Sequence, residues 1–316
     1  NINDVPSAGL AILAISARYC LQVVESLIRE KGTKAFIIIS AGFAESGEEG
    51  KKLEEEIAGM IEESGGCLIG PNCIGVITPS YNGIFTSPVP RLNERGCDLV
   101  SGSGATAVFI FESAIPKGVR FSSVYSVGNS AQTGVEEVLE YWDNSFDPER
   151  SSHIKLIYVE SIRNPDKLLI HASSLIKKGC RIAAIKAGTS EAGSRAASSH
   201  TGALTSSDSA VEALFRKAGI VRCSGREELT TVASVFFHKP LKGRNIVIIT
   251  HAGGPAVMLT DALSAGGMNI PVIRGEHYDK LMAMMNPGAS ASNPVDMIAT
   301  ATSDQLDKII DYVDKK

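Results

Sequence analysis

"AFIIISAGFAESGEEGKKLEEEIAGMIEESGGCLIGPNCIGVI", Ala35 to Ile77, decides the fold class. "AFIIIS" is an uninterrupted aliphatic run of strand length. It leads through "AGFAESGEEG" into the amphipathic stretch "KKLEEEIAGMIEESGG". "CLIG" repeats the strand signal and runs into "PNCIGVI", where Pro71 is suited to a first helical turn. Strand, helix, strand, helix is the pattern of a parallel sheet with crossover helices. Apolar runs that are continuous rather than alternating indicate strands buried on both faces. Upstream, "LAILAIS" followed by "ARYCLQVVESLIREKG" states the same unit once more.

Working outward, "TPSYNGIFTSPVPRLNERG" is rich in Pro, Asn and Gly and breaks the pattern, so the first domain boundary is expected near residue 80. A second αβ series follows: "CDLVSGSGATAVFIFESAIPKG", "FSSVYSVG", "VEEVLEYW", "IKLIYVES", "NPDKLLIHASSLIKKG", "RIAAIKAG". After "AGTSEAGSRAASSHTGALTSSDSA", Ala187 to Ala210, a helix is expected with Ser207 as N-cap and Val211, Leu214, Phe215 and Ala218 on one face. "EELTTVASVFFH" reads as a closing helix, and "KPLKGRN" marks a second boundary. A third series begins with strand "NIVIIT", turn "HAGGP" and helix "AVMLTDALSAGG", and stops at "LDKIIDYVDKK", too short for a complete doubly wound domain. Asn1 is not an initiator methionine and a strand-like run begins almost at once, which reads as a fragment missing its upstream part or as a processed chain; the C-terminal series reads as cut or as a small domain.

The bulk numbers narrow the class. The chain has 316 residues, 44% hydrophobic and 21% charged, which predicts two or three ordinary globular domains. A formal net charge of −4 argues against nucleic acid as the main partner. No apolar run is long enough for a membrane span. The six cysteines are dispersed, without CxxC or a zinc-type His/Cys cluster, as expected of free thiols in a reducing cytoplasm.

In open parallel sheets, ligands bind at the carboxyl ends of strands, near helix N-termini. Four turns are in that position. In "IGPNCIGVI", the Asn72 amide and free backbone N–H groups suit an anion; a tight turn of small residues is the alternative. In "LVSGSGATAVF", Ser101, Gly102, Ser103 and Gly104 follow a strand and open a helix, as a phosphate nest does. The full GxGxxG fingerprint and a P-loop lysine are missing, which excludes a dehydrogenase-type dinucleotide site and a mononucleotide loop. "YSVGNSAQTG" is a third strand end of small polar residues, and its Gly128-Asn129 pair is also a common turn. The fourth is the loop carrying His200. A neutral imidazole held by an acceptor can act as a nucleophile, and Glu160, ending strand "IKLIYVE", is placed to be that acceptor. An inert solvated histidine and a surface carboxylate are the alternatives. His251, in "THAGGPA", is a rival at another βα turn.

The set "LIGPNCIGVITP", "VSGSGATA", "YSVGNSAQTGVEEVLEYW", "YVES" and "SSHTGALTSSDSAVEALFRKAGIVR" resembles the α part of NDP-forming acyl-CoA synthetases, relatives of the succinyl-CoA synthetase α subunit. The resemblance runs in order along nearly the whole chain. It implies an α/β protein: the latter part of a Rossmann-like CoA-binding domain at 1–80, a flavodoxin-like ligase domain at 81–238, and a second, cut-short flavodoxin-like domain at 239–316. It implies His200 as the phosphoryl carrier, Glu160 as its partner, and Ser199, Thr201 and Gly202 as the surrounding loop. Gly70, Asn72, Cys73, Ser101, Gly102, Ser103, Gly104, Gly128 and Asn129 would contact phosphate, acyl group or coenzyme A. The helices opening at "GPNC" and after the His200 loop would aim their N-termini at the phosphate, in a site poor in lysine and arginine. "HAGGP" departs from the family's "NAGGP", which ranks His251 below His200.

The resemblance further implies acyl-CoA or acid as substrate with coenzyme A. ADP or ATP and Mg2+ would sit on an ATP-grasp β subunit or domain that this chain lacks, within an oligomer. The competing reading is a non-catalytic CoA-binding or regulatory module of the type fused to protein acetyltransferases. Retention of both His200 and Glu160 favours the enzyme.

Overall fold

The computed structural model describes residues 2–193, 195 and 207–315. The chain divides into two compact units, Asn1–His238 and Lys239–Lys316.

The first unit opens with a three-stranded parallel sheet in the order β1 (Leu10–Leu13), β2 (Ala35–Ile38), β3 (Cys67–Ile69). Its crossovers are α1 (Ala17–Lys31) and α2 (Glu48–Glu63). α1 stops at Gly32, whose φ of 69° is the left-handed conformation that closes helices. α2 carries Glu48 and Glu49 in its first turn, where the helix dipole favours negative charge. Val24, Phe36, Ile38, Ile57, Ile61 and Leu68 form the core between these elements.

The chain then enters a seven-stranded sheet made of β4 (Gly75–Thr78), β5 (Tyr81–Ile84), β6 (Leu92–Ser101), β7 (Phe121–Ser126), β8 (Ile154–Val159), β9 (Arg181–Lys186) and β10 (Val221–Cys223). The order is β10-β9-β8-β6-β7-β4-β5. From β6 onward the strands are parallel. Counted from β6, that order is the 2-1-3-4-5 arrangement of a flavodoxin-like sheet, which reverses direction between β6 and β8. β4 joins antiparallel to β7, and β5 pairs back on β4.

α3 (Gly104–Ala114) and α7 (Arg226–Phe236) cover one face through Ala107, Ile110, Phe111, Leu229 and Ala233. α4 (Val135–Asn144), α5 (Pro165–Lys177) and α6 (Asp208–Ala218) cover the other through Leu139, Trp142, Leu168, Leu175, Val211 and Phe215. Within this second layer Lys155 and Asp98 form an ion pair, 1% and 6% exposed, between registered neighbours on β8 and β6. Ser123 Oγ donates to the same carboxylate at 2.6 Å, and the Lys155 ammonium lies 5.1 Å from the Trp142 ring centroid.

The second unit has a two-stranded parallel sheet of β11 (Ile249–Thr250) and β12 (Val295–Asp296). Around it lie α8 (Gly253–Ala265), α9 (Gly275–Met282) and α10 (Ser303–Asp314). Leu281, Ala291, Val295, Met297 and Ile309 make its core.

The α/β class, the parallel sheets and the flavodoxin-like order agree with the sequence reading. Two local expectations are corrected. Pro71 opens no helix: Asn72 takes a φ of 58° and the chain proceeds into strand β4. The stretch expected to separate domains instead contains a hairpin, with Thr78 opposite Tyr81, so the change of sheet falls between Ile69 and Gly75.

Candidate active site

The site is built at the carboxyl ends of β6 and β8, the neighbouring strands at which the strand order reverses. β6 ends at Ser101, and the amide of Gly102 donates to Tyr158 O on β8 at 3.0 Å. Ser101 is fully buried; its Oγ donates to Ser103 O at 2.7 Å and accepts from Ser103 N at 3.2 Å. Ser103 caps α3 by accepting from Thr106 N at 3.3 Å. The first intrahelical donor is Ala107, bonded to Ser103 O at 3.1 Å, so the amides of Gly104 and Ala105 are helix-end donors without an intrahelical acceptor. The serines of "SGSG" thus shape the turn with their hydroxyls, and backbone N–H groups are what it offers outward.

Glu160 follows the last residue of β8 on the same side of the chain as Tyr158, whose OH donates to Glu160 Oε1 at 3.2 Å. Burial, and then the Glu160 charge, push the Tyr158 phenol up to about 12, so it stays a donor. Strand β9 ends beside Glu160: Val159 is the registered partner of Lys186. Lys186 is 3% exposed and its ammonium donates to Ala187 O. Burial lowers its pKa, against the attraction of Asp208 and Glu160 and with the repulsion of Arg222. The sequence reading missed this lysine and expected no cation; the signal was a single Lys ending the apolar run "RIAAI". Asp208, in the first turn of α6, pairs with Arg222, which also donates to Glu212 Oε2 at 3.1 Å. Ser207 caps α6, accepting from Ala210 N at 3.3 Å, as the sequence predicts. His200, Ser199, Thr201 and Gly202 lie outside the described residues.

A second cluster joins the first and third turns. Asn129 N donates to Pro71 O at 2.9 Å and Ala131 N to Gly70 O at 3.1 Å. Gly128 is pressed so closely against this turn that a Cβ there would lie 2.1 Å from Pro71 O. Asn72 Nδ2 donates to Asn129 Oδ1 at 3.2 Å. The expected contact role of Cys73 meets a different arrangement: its side chain is 4% exposed and Sγ donates to Ile38 O at 3.4 Å. Burial holds this thiol at about 11, so it is neither ionised nor facing outward. The N-terminus of α4 after the third turn is filled by its own acids. Glu137 Oε2 accepts from Gly134 N at 2.9 Å, and the buried Glu136 accepts from Arg163 N at 2.7 Å and Asn164 N at 3.1 Å. That helix end is closed to an external anion. His251 is exposed at the start of α8 in the second unit. Among the described residues no group of three His, Cys, Asp or Glu could hold a metal ion, and no helix is long and apolar enough to cross a membrane.

Residues 94–236 match the family model of the succinyl-CoA ligase like flavodoxin domain. The α subunit of the ADP-forming acetate–CoA ligase II of Pyrococcus furiosus is 34% identical over 306 residues, covering 95% of this chain and 65% of that subunit. Residues 94–236 thus carry a succinyl-CoA ligase like flavodoxin domain, and nearly the whole chain is similar to an ADP-forming acyl-CoA synthetase α subunit. The ADP-forming 4-hydroxybutyrate–CoA ligase of Nitrosopumilus maritimus is another relative, 32% identical over 99% of this chain and 45% of its own length. The solved structure of a dinucleotide-forming acetyl-coenzyme A synthetase 1 from Ca. Korarchaeum cryptofilum, in complex with phosphate and ADP, superposes with a TM-score of 0.82 at 27% identity over 96% of this chain and 64% of that one. The chain therefore spans between about half and two thirds of the length of these acyl-CoA synthetases.

Proposed function

We propose that this chain is the α part of an ADP-forming acyl-CoA synthetase that interconverts acyl-CoA, phosphate and ADP with acid, coenzyme A and ATP. The observation that carries the reading is the reversal of strand order at β6 and β8. It puts the helix-end amides of α3, which follows β6, and Glu160, which follows β8, at the carboxyl ends of two neighbouring strands, where a flavodoxin-like sheet binds its ligand. On this reading Asn72 and the Gly102–Gly104 turn bind phosphate and the acyl and pantetheine groups. Gly70, Gly128 and Asn129 build the adjoining wall.

A phosphate oxygen attacks the thioester carbonyl, the C–S bond breaks, and the coenzyme A thiolate leaves and takes up a proton. A nitrogen of the neutral His200 ring attacks phosphorus of the acyl phosphate, the P–O bond to the acyl group breaks, and the carboxylate leaves. ADP then takes the phosphoryl group from His200. Glu160 accepts the other ring N–H and stabilises the positive ring. Helix-end amides hold the phosphoryl charge without reorganising. ADP, ATP and Mg2+ belong to an ATP-grasp subunit or domain; Mg2+ there would neutralise nucleotide charge. The protein would work in the cytoplasm as part of an oligomer. The three-stranded sheet up to Ile69 would serve coenzyme A binding, with the seven-stranded sheet from Gly75 onward and residues 239–316 as ligase domains.

The test is phosphoryl transfer. The full protein, with its nucleotide-binding half, is incubated with γ-labelled ATP. Acid-labile, alkali-stable label should map to His200 and be discharged by acid plus coenzyme A. Label that survives in His200→Ala, or maps to His251, overturns the assignment.

A further inference from the structure

Every hydrogen-bonding group of the Asn129 amide is engaged inside the protein. Its Nδ2 donates to Glu54 Oε2 at 2.8 Å and to Glu45 Oε2, and its Oδ1 accepts from Asn72. Both carboxylates are themselves held. Glu45 Oε1 accepts from Phe43 N at 3.1 Å and from Gly42 N, and the buried Glu54 accepts from Ala44 N at 3.2 Å. Arg163 fixes the backbone of the same turn, donating from Nη2 to Asn129 O at 2.8 Å and from Nη1 to Ser130 O. An amide with its NH2 between two carboxylates cannot flip, because the flip would set its carbonyl oxygen against both acids. Its oxygen therefore always points at Asn72. One Asn72 N–H is spent on that bond. The other N–H and Oδ1 have no hydrogen-bond partner among the described residues.

We infer that Glu45, Glu54 and Asn129 are positioning residues that lock the Asn72 carboxamide in the orientation in which it binds phosphate. The inference rests on the phosphate-binding role given to Asn72 above. It reassigns Asn129 from ligand contact to support. It also explains why two acids stand near an anion site: the Asn129 amide separates them from it, and Arg163 balances their charge.

The test measures inorganic phosphate binding to the full protein by calorimetry, with KM and kcat for phosphate in parallel. Asn129→Ala should weaken phosphate binding about tenfold, or about 1.4 kcal/mol, with kcat at saturating phosphate within about twofold of wild type. Glu54→Gln keeps an acceptor for Asn129 and should bind within about twofold of wild type, whereas Glu54→Leu should lose affinity as Asn129→Ala does. The Glu54 pair carries the test even if Asn129→Ala does not fold. Wild-type affinity in a folded Asn129→Ala, or equal losses in both Glu54 variants, overturns the inference alone. A wild-type protein that binds no phosphate overturns the role of Asn72 and the inference with it.

Discussion

Gly102 donates its amide to the Tyr158 carbonyl across 3.0 Å, which stitches the turn after β6 to the last residues of β8. The bond leaves Glu160, two residues beyond Tyr158, at the same sheet edge as the turn after β6. Glu160→Gln keeps the shape of this edge but removes the charge that would balance a positive imidazole ring. Steady-state rates should fall about 10²-fold or more, the usual scale for losing an acid–base partner. A rate within about twofold of wild type would remove Glu160 from the mechanism.

Lys186 predicts a pH effect on stability. Its folded pKa lies below its unfolded value because burial penalises the ammonium. Between those two values the unfolded chain binds more protons, so stability rises with pH across the interval below 10.5. Lys186→Met should flatten that rise, measured as urea midpoints through the alkaline range. An unchanged slope would show that Lys186 is not the group responsible.

The interlocked turns make Gly128 one of the glycines hardest to replace. Gly128→Ala adds a Cβ 2.1 Å from Pro71 O at a φ of 54°. A loss of several kcal/mol, roughly 3 or more, is expected from combined overlap and backbone strain. The urea midpoint should drop with an unchanged m-value.

Thiol chemistry separates Cys73 from a reactive role. Cys67 is exposed, while Cys20, Cys73, Cys97, Cys180 and Cys223 are buried, and burial raises the pKa of all five. A disulfide reagent at neutral pH should modify the native protein at Cys67, with the others reacting on unfolding. Rapid native modification of Cys73 would contradict its inward orientation.

The buried Asp98–Lys155 pair should be asymmetric to mutation. Replacing either partner alone strands the other charge and should destabilise by about 3–5 kcal/mol, whereas Asp98→Leu with Lys155→Met should come close to wild type. Urea titration of the three variants decides it.

The strand–helix alternation was legible because parallel strands buried on both faces read as continuous apolar runs. "AFIIIS", "IKLIYVES" and "RIAAIKAG" became β2, β8 and β9. The Ser207 cap was legible because capping is local. Pro71 misled because a proline after a strand suits a helix start and a turn alike; the choice was made by Asn72, which tolerates positive φ, and by tertiary bonds to Ser40 and Asn129. Cys73 looked like a ligand contact for the same reason: sequence places a residue at a strand end, and only packing decides whether its side chain turns in or out. Lys186 was hidden because one lysine at a strand end looks like a solvated one until the neighbouring strands are in place.

The Asp98–Lys155 pair also governs how the sheet can assemble. Any pairing that slips β6 along β8, or inserts another strand between them, would leave a carboxylate and an ammonium facing hydrocarbon and the Trp142 ring. The two strands at which the sheet order reverses thus carry a mutual identity check in their own core. A chain that passes it has aligned the carboxyl ends of both strands before any ligand arrives.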